Sequence, residues 1–325
     1  MDMQNKIMIT AIVPAYNVEN YVVSAIGSLL SQTEKFHEII IVNDGSTDGT
    51  GALIEQYRDI AGVKIFHTEN NGQGCARNLA LSQASGDYVY FFDADDLLNA
   101  DFVASMRTLV GQKTDIDIIY FSGVSFLDEG CRSAYMPAYD RKINKEYRSG
   151  VDATGAMLRR DVYFASPCLY LSKRALWDDN GLAFMNIVHE DEEIIMRLSC
   201  TAGVSHCLDR AFFHRRIRPE STMTLPKSTR NAIGYLRTLE SIASYCNRNR
   251  AHVSPIQRDL VRRFYNLLCG YFAICKAIKS RPAYKKIFIL LLELGRFPTY
   301  RQLYEMWVPP SLHTRLSYVK RKLCK

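Results

Sequence analysis

Asp93-Ala94-Asp95 sets two carboxylates two residues apart, directly after the apolar run Tyr88-Val-Tyr-Phe-Phe92. On a loop, that spacing lets both acids converge on one hard cation. Mg2+ and Mn2+ prefer oxygen ligands and are often held by one or two carboxylates together with substrate phosphates. A departing diphosphate is a group whose charge such an ion neutralises. Asp93 and Asp95 are therefore expected to form a divalent metal site, for Mn2+ or Mg2+.

Three more polar clusters follow apolar runs in the same way. They are Pro14-Ala15-Tyr16-Asn17 with Glu19, Asn43-Asp44-Gly45-Ser46-Thr47-Asp48, and Asn70-Asn71-Gly72 leading to Ala76-Arg77-Asn78. Singly, each reads as ordinary turn and helix-cap chemistry. Four in succession point to one binding edge. Asp44 can accept a hydrogen bond from the N–H of a base, and Tyr16 can pack against a ring. Arg77 is a candidate phosphate contact, with a surface ion pair as the competing reading.

The second half adds two clusters. His189-Glu190-Asp191-Glu192-Glu193 opens a helix. Asp191 reads as a general base for an acceptor hydroxyl, whereas Glu192 and Glu193 read as acids that favour a helix N-terminus. Further on, His214-Arg215-Arg216 leads through Arg218 to Ser221-Thr222. That basic loop is suited to closing over a diphosphate, and His214 is either a further metal ligand or a plain core or surface histidine.

The elements that must carry these clusters alternate. Residues 7–13, 38–42, 63–66, 88–92 and 115–121 read as strands, with helices over 51–60 and 73–85 and a helical stripe at Tyr21, Ala25, Ile26, Leu29 and Leu30. Such alternation implies an α/β fold around a mostly parallel central sheet, in which ligands sit beyond the carboxyl ends of the strands. Residues 122–225 are more mixed, with a helix expected near 190–200. From about Pro226 the pattern turns helical, with candidates at 233–245, 256–278, 283–295 and 312–323.

Several classes drop out. Gly72-Gln73-Gly74-Cys75-Ala76-Arg77 lacks the third glycine of a dinucleotide fingerprint and follows the third strand rather than the first. No P-loop motif occurs. No nucleic-acid motif is recognisable, so no nucleic-acid partner is expected. Nine cysteines without a C-x-x-C pair suggest reduced thiols rather than a zinc site or disulfide framework. The first ten residues lack the basic start and apolar run of a signal peptide, and the run 287–292 is far short of the roughly 20 residues that span a bilayer. A cytoplasmic protein is expected.

Charge is uneven. Residues 226–325 hold 20 Lys and Arg against 4 Asp and Glu, whereas residues 1–225 hold 21 against 30. The basic region places Val261, Phe264, Leu268, Phe272 and Cys275 at helical spacing beside Arg258, Arg262, Arg263 and Lys276. Such helices can lie on an anionic membrane surface, which leads to the expectation of a peripheral protein on the inner face of the membrane. Packing on the rest of the chain, with solvated charges, is the alternative.

The ordered set Val13-Pro-Ala-Tyr-Asn17, Val42-Asn-Asp-Gly-Ser-Thr-Asp48, Ala76-Arg-Asn78, Gly86-Asp87, Phe92-Asp-Ala-Asp-Asp96, His189-Glu-Asp191 and His214-Arg-Arg…Ser221 resembles the inverting family 2 glycosyltransferases of GT-A fold, the bacterial capsule and lipopolysaccharide type above all. The resemblance covers roughly residues 7–225. It implies a catalytic domain over 1–225, with a nucleotide-sugar-binding half at 1–115 and an acceptor-side half at 116–225, followed by a basic helical region at 226–325. It assigns Pro14, Ala15, Tyr16, Asn17, Glu19 and Asp44 to the nucleotide cradle and Arg77 to the donor site. Asp93, with Ala94 beside it, becomes the ribose-side acid, Asp95 the main metal ligand and Asp191 the catalytic base. Arg215, Arg216 and Ser221 become candidate diphosphate contacts. Asn43 stands where many relatives carry an acid, and His214 where many carry Tyr. The implied partners are a UDP-sugar donor, carrying a hexose or N-acetylhexosamine, and a glycan or lipid-linked saccharide acceptor. A non-catalytic nucleotide-sugar or glycan-binding protein on the same fold and a sugar nucleotidyltransferase are the rival readings. Intact Asp93, Asp95 and Asp191 argue against the first. The loop Pro14-Ala15-Tyr16-Asn17, where a Gly-rich basic loop belongs, argues against the second.

Overall fold

Runs of β-branched and aromatic residues build the first strands of the computed structural model, which describes residues 7–113, 115–132, 136–219 and 226–294. Strands β1 (Ile9–Ala15) and β2 (Glu38–Asp44) are buried along all seven residues, and β4 (Tyr88–Phe91) along all four. Strand β3 (Val63–Thr68) forms an edge with mixed burial. Helices α1 (Val22–Leu30), α2 (Thr50–Glu55) and α3 (Gln73–Ser82) connect them, so the order β3-β2-β1-β4 is parallel throughout. Strands covered on both faces lose the alternation of polar and apolar residues, which is why they stand out as continuous apolar runs.

The chain then continues through β5 (Leu97–Leu98), α4 (Phe102–Gln112), β6 (Ile118–Leu127), β7 (Lys145–Tyr147), α5 (Gly150–Arg159), β8 (Tyr170–Lys173), α6 (Arg174–Asp179), α7 (Glu190–Thr201) and β9 (Ser205–Ile217). These extend one nine-stranded sheet in the order β3-β2-β1-β4-β8-β6-β9-β5, with β7 pairing with β9. Strand β8 runs antiparallel to both β4 and β6, whereas β6 and β9 are parallel. Six of the nine strands run the same way, as expected of a mostly parallel sheet; β8 is reversed at the centre, and the short β5 and β7 run antiparallel to β9. The ends of β1, β2, β4, β6 and β9 therefore lie along the same edge.

Helices α8 (Thr229–Arg248), α9 (Arg250–Val253), α10 (Gln257–Ala277) and α11 (Tyr284–Glu293) complete the described chain. They share one apolar cluster with the sheet, which takes in Ile12, Phe91 and Tyr120 as well as Leu239, Phe264 and Leu290. The stripe on α10 points inward: Val261, Phe264, Leu268 and Cys275 are buried, and Phe272 packs against the same cluster. Those apolar positions are thus used by the core and are not offered to a membrane. On α11, by contrast, Phe288, Ile289 and Leu292 are exposed. No described helix is long and apolar enough to cross a membrane. The expected helix at 312–323 lies outside the described residues. All eight described cysteines are free, five of them buried.

Candidate active site

The first three loops of the strand edge are stitched to one another. Asn17, in a left-handed conformation with φ 49°, accepts a 2.8 Å hydrogen bond at Oδ1 from the Thr47 N–H. The Glu19 carboxylate accepts one of 2.6 Å from the Gly49 N–H. Both side chains expected in a nucleotide cradle therefore brace the loop after β2. Pro14 and Ala15 end β1 beside Val42 and Asn43, while Tyr16 projects with 46% of its surface exposed. Asp44 is buried and accepts 2.9 Å bonds from the N–H groups of Asn71 and Gly72, one on each oxygen. It shapes the third loop; Oδ1 also accepts from the Thr68 hydroxyl at 3.4 Å, which leaves Oδ2 with room for a further donor.

The loop after β4 carries the acids. Asp93 Oδ1 accepts 2.8 Å bonds from both Gln73 Nε2 and Arg77 Nη2. Arg77 is not a surface residue: it is 2% exposed, lies against the Phe184 ring, and donates from Nη1 to Glu190 at 2.8 Å. Its two amino groups are committed to Asp93 and Glu190, so the expected phosphate contact gives way to a bridge between the β4 loop and the start of α7. Burial works against its charge, but the two carboxylates outweigh burial and raise its pKa. On Glu190, burial wins over Arg77 and pushes the carboxyl up to about 7. Asp191, next in line, accepts at Oδ1 from the Glu192 N–H at 2.8 Å. Glu192 and Glu193 do more than face a helix dipole. Glu192 pairs with Arg263 of α10, and Glu193, 1% exposed, holds Arg197 at 2.7 Å and Ser241 of α8.

Strand β9 closes the other side. Arg218 donates from Nε to Asp95 Oδ2 at 2.7 Å, and the Arg216 backbone N–H donates to Asp96 Oδ1 at 2.7 Å. Arg215 bonds the Tyr139 hydroxyl, and its charge is felt by Asp95 and Asp96. Arg216 spans two loops, donating from Nε to the Asp95 carbonyl at 2.9 Å and from Nη1 to Asp128 at 2.9 Å, with its guanidinium over the Tyr21 and Phe126 rings. His214 makes a 2.6 Å hydrogen bond through Nε2 with Asn99, and burial lowers its pKa. The structure thus gives it to the β5 connection rather than to the carboxylates. Ser221 lies outside the described residues.

A divalent cation fits this loop. Asp93 and Asp95 each use one oxygen on basic or amide side chains and leave the other free of hydrogen bonds among the described residues. Burial and the charge of Asp93 raise the Asp95 pKa despite Arg218, so the acid pair is incompletely neutralised. Ala94, 3% exposed, is the buried spacer between them. Asp93, Asp96 and Cys168 also lie within 4.8 Å of one another. Burial and the acids push the Cys168 thiol well above its usual pKa, and a neutral soft sulfur is a poor ligand for Mg2+ or Mn2+.

The sequence assigns no role to Glu190 or Gln73, and Asp96 and Arg218 enter it only as members of a motif and of a basic loop. Glu190 had one usable signal, since a buried arginine needs acids. The burial itself comes from Phe184 and α7, 113 residues from Arg77 at Glu190.

A family model described as glycosyl transferase family 2 matches residues 10–164. Glycosyltransferase GlyA of Streptococcus pneumoniae is 40% identical over 112 residues, 34% of this chain and 16% of that protein. The uncharacterized glycosyltransferase EpsJ of Bacillus subtilis is 30% identical over 227 residues, 67% of this chain and 64% of that protein. The chain spans less than two thirds of either relative. In three dimensions it is similar to S. aureus TarS 1-349 in complex with UDP-GlcNAc, with a TM-score of 0.60 and 21% identity over 89% of each chain. The fold is that of the GT-A glycosyltransferases. All four loops, from Pro14 to Asp96, fall inside residues 10–164, the part of the chain that carries the glycosyl transferase family 2 domain.

Proposed function

We propose that this chain is an inverting glycosyltransferase that moves a hexose or N-acetylhexosamine from a UDP-sugar to a glycan or lipid-linked acceptor in surface polysaccharide synthesis. One observation carries the reading: buried Arg77 holds the Asp191-bearing turn against the Asp93 loop, so an acceptor base and a diphosphate site share one edge of the sheet. TarS, which has this fold, is seen with UDP-GlcNAc, and that supports a UDP-sugar donor.

Asp191 takes the proton from the acceptor hydroxyl. The resulting oxygen attacks the anomeric carbon on the face opposite the diphosphate. The bond from that carbon to the diphosphate oxygen breaks, its electron pair leaves with UDP, and the configuration inverts in one displacement. Asp93 and Asp95 are the residues that hold the divalent cation, Mn2+ or Mg2+, whose charge offsets that of the departing diphosphate. Arg215, placed by Tyr139, adds a second positive group. Asp44 and Tyr16 receive the base, within a frame set by Asn17 and Glu19.

The test is UDP release from a panel of UDP-sugars, with and without Mn2+ and with added acceptors. One sugar should support release, metal should be required, and Asp95→Ala and Asp191→Asn should each lower the rate by about a hundredfold or more. Asp191→Asn should still bind UDP. Binding without release in the presence of every acceptor tried would favour the binding-protein reading.

A peripheral position on the cytoplasmic face of a membrane belongs to the same proposal. Its carrier is α11, where exposed Phe288, Ile289 and Leu292 sit beside Lys285.

A further inference from the structure

The turn that presents Asp191 has a backbone shape that its own residues do not explain. His189 precedes α7 with φ 73°, a left-handed conformation in a non-glycine residue, and its side chain does not cap the helix. Such conformations persist where surrounding structure enforces them. The His189 Nε2 is buried and has no hydrogen-bond partner, so packing rather than hydrogen bonding places the ring.

That packing comes from the C-terminal helices. The Tyr235 ring of α8 lies 4.1 Å from the His189 ring, centroid to centroid. One residue earlier, α8 approaches so closely that a Cβ on Gly234 would stand 2.0 Å from the Val188 carbonyl oxygen. Thr238, one turn on, donates to the His189 carbonyl at 3.4 Å. Helix α10 backs the same contact, since a Cβ on Gly270 would stand 3.1 Å from Cε1 of Tyr235. Glycine at both crossings lets three layers stack without a gap: α10, Tyr235 of α8, and the turn.

We infer that α8 and α10 position the general base, with Tyr235, seated on Gly270, holding His189 in its left-handed conformation and thereby fixing how Asp191 leaves the helix. Tyr235 is a positioning residue and touches no substrate. The inference rests on Asp191 being the base. It gives the C-terminal helices a part in turnover that is separate from donor binding, because the donor-side loops lie on other elements.

The experiment compares the full chain with Tyr235→Leu, Tyr235→Phe and Gly234→Ala. Three quantities are read: UDP release at saturating donor, UDP affinity by calorimetry, and hydrogen exchange of the amides of residues 188–193. Tyr235→Leu should lower kcat by about tenfold or more, leave UDP affinity within about twofold, and speed exchange in the turn by about tenfold. Tyr235→Phe keeps the ring and should match the parent chain in all three. Gly234→Ala should follow Tyr235→Leu. Unchanged exchange and kcat in Tyr235→Leu would overturn the inference, as would equal losses in the Leu and Phe variants or a UDP affinity that falls in step with kcat. If the parent chain itself released no UDP, the glycosyltransferase reading would fall, while the exchange comparison would still decide whether Tyr235 holds the turn.

Discussion

Arg77 is the residue on which the site depends most. Its guanidinium satisfies Asp93 and Glu190 at once, in surroundings where an unpaired charge is costly. Removing one member of a buried ion pair typically costs about 3–5 kcal/mol, because the other charge is left stranded. Arg77→Met should therefore destabilise the fold by about 3 kcal/mol in urea unfolding. The lower end applies because the Asp93 side chain is 30% exposed and can turn to water. Lysine, with one ammonium on a flexible stem, cannot bond both acids in the same fork geometry. The sequence made Asp93, Asp95 and Asp191 legible because each sits beside a strand end or helix start that local pattern reveals. It did not show Arg77 as a bridge or His214 as a partner of Asn99, because those pairings join residues 113 and 115 positions apart.

Among the elements, the start of β2 is the part most exposed to acid. Glu38 is buried there between neighbouring strands. Burial alone pushes its carboxyl up, but hydrogen bonds from Lys64, Ser85 and Thr10 outweigh that and draw it down to about 2. A carboxyl whose pKa falls on folding stabilises the fold above its unfolded value of about 4.5 and loses that contribution as pH falls towards 2. At about 1.36 kcal/mol per unit, discounted because Lys64 is 46% exposed, the contribution is about 2 kcal/mol. Glu38→Gln should be less stable by about that amount at pH 7, with the gap closing near pH 2, as followed by denaturant melts across pH. Strands β1 to β4 were readable because full burial makes them plain apolar runs. The direction of β8 was not, since Tyr170–Lys173 reads the same whether it runs with or against its neighbours.

At the scale of the whole molecule, the described part of the basic C-terminal region divides between core packing and an exposed face. The sequence exposed the charge imbalance but not the packing of α8 and α10, whose apolar residues are covered by the rest of the chain. What is left for a membrane in the described residues is α11. The protein should co-sediment with phosphatidylserine vesicles at low salt and not with neutral ones, and Ile289→Glu should weaken the association. Each basic side chain at the surface is worth about 1 kcal/mol, and salt screens it. No sedimentation with anionic vesicles at low salt would remove the membrane from the proposal.

The reversed strand at the centre of the sheet also bears on how the chain is made. Strands β1 to β4 can pair as soon as they leave the ribosome, but that leaves the flank of β4, Tyr-Val-Tyr-Phe, as an open edge. Its cover is β8, whose first residue, Tyr170, comes 79 positions after Phe91. At roughly 5–20 residues per second, translation keeps that edge bare for about 4–16 s. An unpaired apolar edge is a template for other chains, so the nascent protein needs shielding over that interval, and faster translation between residues 92 and 170 should raise the soluble yield.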